Sequence, residues 1–244
     1  MQKRNIFDIL ILVARPAAGK SELIDYLRKK GKDERERRFH IGEIEEIDDF
    51  FMLWTWFEED KILSEMGKPR LHTTSDCYFT EPYLWDLLIR RICLEYEKCV
   101  KRNPSYHDRF TTIIEFARGC EHGGFTRAFQ HLSSVVLKSS AVLYINVSYQ
   151  ESLRKNRRRF NPERPDSVLE HSIPDDKMET LYKENDWDAF SSPDPDYLFV
   201  QGIKLPYDVL ENEDDVTTSP GEALGRRLEK TLSRLWELYT KRET

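Results

Sequence analysis

Residues 6–30 carry the pattern that most restricts what this chain can fold into. A nearly continuous apolar run over 6–13 (IFDILILV) predicts a central parallel strand that is covered on both faces. A short loop over 14–19 follows, and residues 20–30 predict a helix whose apolar face carries Leu23, Ile24 and Leu27. A buried strand, a short loop and an amphipathic helix in this order indicate an α/β fold.

The loop and the first helical residues have the spacing of a phosphate-binding loop, G-x-x-x-x-G-K-[ST], with Ala14 at the first glycine position. Small residues let backbone N–H groups surround phosphates beside a helix N-terminus. In such a loop Lys20 reaches the β- and γ-phosphates and the Ser21 hydroxyl binds Mg²⁺. Because the required strand and helix flank it, we interpret the segment as a nucleotide-binding loop rather than a chance GKS in a turn. Its predicted binding residues are Ala14, Arg15, Pro16, Ala17, Ala18, Gly19, Lys20 and Ser21.

Composition excludes several other classes of protein. The 244 residues are 34% charged, yet 13 Phe, 11 Tyr and 5 Trp supply a core, so the chain is not wholly disordered. A net charge of −6 argues against a general nucleic-acid binder. The four cysteines show no CxxC pair and no zinc spacing, which favours reduced thiols. No apolar run approaches the ~20 residues of a membrane span and no signal-peptide core is visible, so we expect a cytoplasmic protein without a membrane partner.

Strands and helices alternate along the rest of the chain. Residues 32–38 are interpreted as solvated charge, and the Pro- and charge-rich residues 161–175 as a mobile loop. Further strands are predicted over 39–44, 111–116, 141–147, 197–200 and 207–211. Helices are predicted over 48–66, 81–101, 125–136 and 175–185, and a last helix starts at the capping box over 219–222. The expected fold is α/β, a three-layer α/β/α domain over 1–244 with a parallel sheet of about five strands.

Three further segments resemble a known group of proteins. They are IIEFARG (113–119), SYQESLRKNRRRFNPERP (148–165) and YDVLENEDD (207–215). With the phosphate loop, they resemble the P-loop nucleotide kinases: nucleoside monophosphate kinases and their deoxynucleoside kinase and dephospho-coenzyme A kinase relatives. The likeness spans most of the chain and implies ATP and Mg²⁺ as cofactors. It also implies a helical acceptor-side region over 39–109 and an arginine-rich lid region over 148–187.

The resemblance assigns roles to two residues of the first segment. Glu115 would lie near Mg²⁺ or its waters, and Arg118 near the phosphate of an acceptor. The group usually has Asp where this chain has Glu115. The alternative for Glu115 is an ordinary acid at the end of a strand.

The second segment corresponds to the lid, whose arginines close over the transferring phosphoryl group. Arg154, Arg157 and Arg158 stand at i, i+3 and i+4, so one helix face presents all three. Guanidinium groups match phosphate oxygens and stabilise the charge that develops during transfer. A solvated basic helix or a nucleic-acid patch is the alternative interpretation.

Base and acceptor recognition leave weaker signals. By resemblance, Asn212 and its neighbours would line the nucleotide base, although an acidic turn explains the same residues. A phosphate acceptor needs no general base, whereas a hydroxyl acceptor would be helped by a carboxylate, for which Glu43, Asp48 and Glu115 are candidates. Glu43 and Asp48 are therefore predicted substrate-binding residues. The chain lacks the Asp-Arg-Ser motif of deoxynucleoside kinases.

These features predict an ATP- and Mg²⁺-dependent phosphotransferase whose acceptor is a small molecule, a nucleotide or a nucleoside. The alternative is a regulatory NTPase or switch that acts through a protein partner, which the charged surface and the absence of a recognisable acceptor motif would suit. A metal or redox site built on Cys120, Glu121 and His122 has little support, because adjacent residues rarely chelate together. The chain could also form a homodimer.

Overall fold

A computed structural model describes residues 5–159 and 172–242 of the chain. Most of the loop predicted over 161–175 therefore lies outside the described residues. The strands are β1 (Ile9–Ala14), β2 (Glu43–Asp48), β3 (Phe110–Phe116), β4 (Ser140–Asn146), β5 (Tyr197–Val200) and β6 (Ile203–Glu211). The helices are α1 (Lys20–Arg28), α2 (Lys32–Phe39), α3 (Asp49–Glu65), α4 (Tyr83–Arg102), α5 (Gly124–Gln130), α6 (Ser134–Ser139), α7 (Tyr149–Arg159), α8 (Asp175–Tyr182), α9 (Trp187–Ser191) and α10 (Glu222–Lys241).

All six strands form one sheet in the order β2-β3-β1-β4-β6-β5. Neighbouring strands are parallel except for β5, which pairs antiparallel with β6 at one edge. The predicted α/β class is confirmed, and the predicted parallel sheet is found for every neighbouring pair except β5 and β6. The described sheet has one strand more than the expected five, since β5 adds to the edge as an antiparallel strand.

Alternate residues of β1 enter two separate cores, one on each face of the sheet. Ile9, Ile11 and Val13 pack with side chains of α4, α5 and α9, whereas Leu10, Leu12 and Ala14 pack with those of α1 and α10. This alternation follows from the two-residue period of a strand. The result is the predicted three-layer arrangement, with the carboxyl end of each parallel strand at the same edge of the sheet.

Two predicted segments near the start of the chain are wrong in detail. The charged stretch over 32–38 is helix α2, which is anchored by Phe39 in the core and by Arg35, whose Nε donates to Gly42 O at 2.7 Å. The second strand lies at Glu43–Asp48 rather than at 39–44.

The helix predicted over 125–136 is interrupted and forms the two short helices α5 and α6.

No helix among residues 5–159 and 172–242 is both long enough and apolar enough to cross a lipid bilayer.

Candidate active site

A cavity of about 390 Å³ opens at the carboxyl ends of β1, β2 and β3. In an open parallel sheet this edge is where loops converge and where ligands bind. The phosphate loop forms one wall of the cavity, and the start of α3 forms another. Its lining includes Pro16, Ala17, Gly19, Lys20, Ser21, Asp25, Arg28, Glu46, Asp48, Asp49, Phe50, Phe51, Leu53, Trp85, Glu115, Arg118, Asn156, Arg159 and Tyr182.

The loop between β1 and α1 has the backbone of an anion-binding turn. Ala17 (φ 54°) and Gly19 (φ 109°) are both in the left-handed region, while Ala14 ends β1 outside it. Alternating backbone conformations of this kind turn successive N–H groups to one side. Gly19 begins α1 without a side-chain cap, so the first N–H groups of the helix are available to a ligand. Alanine at position 14 is therefore compatible with the loop, because the left-handed residues lie further along it. The loop between β1 and α1 thus has the position and backbone conformation that the sequence predicts for a phosphate-binding loop.

Buried polar contacts hold this loop from behind. Asn212 Nδ2 donates to Ala18 O and to Thr217 Oγ1, both at 2.8 Å. The Ser152 hydroxyl of α7 donates to Pro16 O at 2.7 Å. Arg15 is absent from the described lining of the cavity, and its Nη1 donates to the carbonyl oxygens of Tyr182 and Lys183 at the end of α8. The conformation of the loop thus depends on α7, on α8 and on the segment after β6.

Replacing Gly19 with alanine is expected to disrupt this packing. The added Cβ would lie 2.5 Å from Thr217 Oγ1 and 2.9 Å from Asn212 Nδ2, in a backbone conformation that alanine rarely adopts. Strain and overpacking together predict a loss of about 2–4 kcal/mol in the free energy of unfolding. Urea titration measures it. Gly31→Ala is the matched control, because Gly31 has φ −62° and no atom within 4 Å of the new Cβ. Equal stability of the two variants would show that the loop is not packed as described.

Three carboxylates meet at the edge of the cavity. Glu46 and Asp48 lie on one face of β2, and Asp48 is the register partner of Glu115 on β3. One oxygen from each of the three lies within 4.8 Å of the others. Glu115 is only 4% exposed, and its Oε2 accepts no hydrogen bond from the described residues.

Crowding of these acids changes their proton affinity. Burial first, and then the charges of Glu115 and Asp49, raise the pKa of Asp48 well above its usual range. Burial and Glu115 likewise raise the pKa of Glu46, against the lowering effect of Arg28, which lies 2.7 Å from Glu46 Oε2. Without a bound metal ion, burial and repulsion therefore favour the protonated form of Asp48.

Arg118 lies in the cavity wall but is already paired. Its Nη1 donates to Ala117 O at 2.7 Å and forms an ion pair with Asp49 Oδ2 at 2.6 Å. The two side chains are 2% and 8% exposed. Its guanidinium also lies 5.1 Å from the centre of the Trp85 ring. A guanidinium fixed in this way shapes the wall and has little capacity left for an acceptor phosphate.

His122 packs against two aromatic residues of the cavity wall, Trp85 and Tyr182. Its ring centroid is 3.8 Å from that of Trp85 and 4.9 Å from that of Tyr182, and its Nδ1 accepts from Gly119 N at 3.2 Å. Burial and the charge of Arg118 lower the pKa of His122 to about 3. The neutral ring is therefore a packing element here.

This histidine predicts a pH dependence of stability. The unfolded chain takes up a proton at His122 near pH 6.5, but the folded chain does so only near pH 3. Stability is therefore complete above about pH 6.5 and falls as the pH decreases, by up to about 1.4 kcal/mol per pH unit. His122→Asn keeps an acceptor for Gly119 N and removes this titration. Urea unfolding between pH 7 and pH 4.5 should show wild type losing stability relative to the variant. Parallel curves would contradict a buried neutral histidine.

The predicted lid arginines Arg154, Arg157 and Arg158 lie among the described residues, but a different arginine lines the cavity. Arg154 is held by Glu151 and Asp215, each at 2.7 Å, and Arg157 is paired with Asp175 at 2.7 Å. Among the described residues, neither these two nor Arg158 lines the cavity. Arg159 does, and its Nη2 lies 3.5 Å from the Ser21 hydroxyl. Arg159 was missed because the inward face of α7 is polar: Ser152, Lys155 and Asn156 are its other members.

Two other predicted residues lie apart from the cavity. Glu43 begins β2, at the opposite end from Asp48, and is paired with Arg109 at 2.8 Å. The prediction that Glu43 binds substrate is therefore not supported by its position. Asn212 is fully buried behind the loop, so its side chain supports the loop rather than lining a base site. Glu46, Asp49 and Trp85 are cavity residues that the sequence analysis did not single out as site residues.

No family model matches this chain, and no curated protein matches it. Among solved structures, it aligns with the crystal structure of a gluconokinase from Sinorhizobium meliloti 1021. The alignment covers 99% of this chain and 100% of the other, with 13% sequence identity and a TM-score of 0.43. A likeness at these values carries no information about substrate.

Proposed function

We propose that this protein is an ATP- and Mg²⁺-dependent phosphotransferase whose acceptor is a small molecule. The observation that carries the proposal is that one cavity is lined both by the phosphate-binding loop and by carboxylates at the ends of β2 and β3. A donor site and groups able to handle an acceptor therefore share one space. Phosphoryl transfer needs that juxtaposition, since positioning and charge stabilisation supply most of its catalysis.

On the donor side, the N–H groups of the loop and the start of α1 would bind the phosphates, and Lys20 would contact the β- and γ-phosphates. Arg159 is the arginine placed to stabilise the developing charge, because it already reaches Ser21. Arg154 and Arg157 could contribute only by leaving their present carboxylate partners.

The site also suits the cation that accompanies ATP. The Ser21 hydroxyl lines the cavity, and Glu115 brings a buried oxygen that lacks a hydrogen-bond partner among the described residues. Oxygen ligands of this kind are those that Mg²⁺ prefers. When bound, Mg²⁺ would neutralise charge on the β- and γ-phosphates. Ser21 and Glu115 are therefore the proposed ligands.

On the acceptor side, the charges favour a hydroxyl over a phosphate. Arg118 is committed to Asp49 and Arg28 to Glu46, so both of these cations are neutralised by partners within 2.7 Å. Once a bound cation favours its ionised form, Asp48 would orient an acceptor hydroxyl and take its proton. Phe50, Phe51 and Trp85 offer aromatic surface against which a flat ring could stack. Between the two predicted acceptor classes, these features favour a nucleoside or another uncharged hydroxyl compound over a nucleotide.

An assay of ADP release from ATP and Mg²⁺ tests this proposal. Small molecules would be added in two pools, one of uncharged hydroxyl compounds that includes nucleosides and one of phosphorylated metabolites that includes nucleotides. We expect the hydroxyl pool to stimulate ADP release. Stimulation by the phosphorylated pool alone would overturn the acceptor class. ATP binding without stimulation by either pool would favour the regulatory NTPase or switch.

A further inference from the structure

The carboxylate cluster at the ends of β2 and β3 has the composition of a cation site in its own right. Glu46, Asp48 and Glu115 each place one oxygen within 4.8 Å of the other two. Two of them are fixed by a single strand, and the third is fixed by register pairing between β2 and β3. The cluster is therefore formed by the sheet and not by a loop that a nucleotide would have to order.

Glu115 provides independent evidence for a ligand. Its side chain is 96% buried (4% exposed), one of its oxygens belongs to this cluster, and its Oε2 has no hydrogen-bond partner among the described residues. A buried carboxylate oxygen without a partner is costly unless a cation or a donor approaches it. The neighbouring acids supply neither while they are ionised.

The charges around the cluster are not balanced by the protein. Arg28 pairs with Glu46 at 2.7 Å, but its side chain is 46% exposed and screened by solvent. Arg118 is taken up by Asp49. When all three are ionised, these carboxylates have one exposed arginine as their described ion-pair partner, so a divalent cation would neutralise the other two negative charges and favour the ionised form of Asp48.

We infer that Glu46, Asp48 and Glu115 bind a divalent cation of the oxygen-preferring class, such as Mg²⁺ or Mn²⁺, in the absence of nucleotide. Sites made only of carboxylate oxygens suit Mg²⁺, Mn²⁺ and Ca²⁺. Asp48 contributes one oxygen and keeps another for Phe50 N, which donates to its Oδ1 at 2.9 Å. The inference shares its cavity with the proposed function, but it does not require phosphoryl transfer.

Titration of the nucleotide-free full-length chain with Mn²⁺, followed by calorimetry and by electron paramagnetic resonance, tests the site. We expect one Mn²⁺ per chain, displaced by excess Mg²⁺. Glu46→Gln should raise the Kd for Mn²⁺ by about tenfold or more. Glu45→Gln is the matched control, because Glu45 is exposed on the opposite face of β2. Absence of Mn²⁺ binding to wild type, or equal binding by both variants, would overturn the inference.

Thermal unfolding separates loss of the site from loss of the fold. In EDTA, Glu46→Gln should melt no lower than wild type, because the substitution relieves repulsion among three acids. Adding Mn²⁺ should raise the Tm of wild type and of Glu45→Gln, but raise that of Glu46→Gln much less. An equal rise in Tm for all three proteins would place the cation elsewhere.

One further variant distinguishes this inference from the proposed function. Lys20→Ala should bind Mn²⁺ as wild type does, because Lys20 is not part of the cluster. If wild type binds Mn²⁺ without nucleotide but transfers no phosphoryl group, the cation site is supported and the phosphotransferase is rejected. If wild type transfers a phosphoryl group but binds Mn²⁺ only together with ATP, the phosphotransferase is supported and the cation site is rejected.

Discussion

Lys20→Ala is expected to lower kcat/KM for phosphoryl transfer by about 10²–10³-fold while leaving the fold intact. The side chain lies in the wall of the cavity, and it makes no ion pair with a carboxylate of the described residues. Its charge is therefore available to the donor phosphates. Steady-state rates of ADP release at saturating acceptor measure the loss, and urea unfolding checks the fold.

Lys29→Ala is the control for this prediction. Lys29 follows the last turn of α1, where it is exposed and lies outside the cavity lining. The Lys29→Ala substitution removes one positive charge, as Lys20→Ala does, but at the other end of α1 and outside the cavity lining. Retained turnover in Lys20→Ala, or an equal loss in Lys29→Ala, would remove Lys20 from the mechanism.

Asp48→Asn is expected to lower kcat by about 10²–10⁴-fold, the range associated with loss of a general base. The KM for ATP should change little, because Asp48 belongs to the β2 wall and not to the phosphate loop. The substitution should not unfold the protein, since an amide can still accept from Phe50 N and one charge leaves a crowded cluster. Separate measurement of kcat and KM tests this split.

Glu45→Gln again serves as the control, because it changes the same charge on the same strand and faces away from the cavity. Its kcat should equal that of wild type. A kcat for Asp48→Asn within a few-fold of wild type would show that Asp48 neither orients nor deprotonates the acceptor.

The central part of the fold could be predicted from the sequence, and its edge could not. β1 and α1 are visible because a continuous apolar run and an amphipathic helix flank a recognisable loop. β2 was placed too early because its sequence, EIEEID, is mostly acidic, as an edge strand of the sheet allows. Helix α2 was missed because KDERERRF is almost entirely charged, and it depends on tertiary contacts made by Arg35 and Phe39.

The candidate site divides in the same way. A local motif identified Lys20 and Ser21, and the end of a predicted strand identified Glu115. The sequence could therefore place all three at one edge of a parallel sheet. Arg118 could be located but not its pairing, because Asp49 reaches it from a segment almost seventy residues earlier in the chain.

The inward-facing arginine of α7 was misjudged for a physical reason. Residues 152, 155, 156 and 159 have the i, i+3, i+4, i+7 spacing of one helix face, but all four are polar. Hydrophobic periodicity cannot identify a helix face towards the loop that consists of a serine, a lysine, an asparagine and an arginine, of which the first three are buried. Only the contacts with Pro16, Thr217 and Ser21 show which side of the helix faces the loop.

The most direct test of the central claim follows the γ-phosphate itself. The protein would be incubated with γ-labelled ATP, Mg²⁺ and the uncharged hydroxyl pool, and labelled products would be separated into organic and inorganic phosphate. We predict that the label appears in an organic phosphate ester, and that Lys20→Ala abolishes this product. Label that appears only as inorganic phosphate, whatever acceptor is present, would contradict a phosphotransferase.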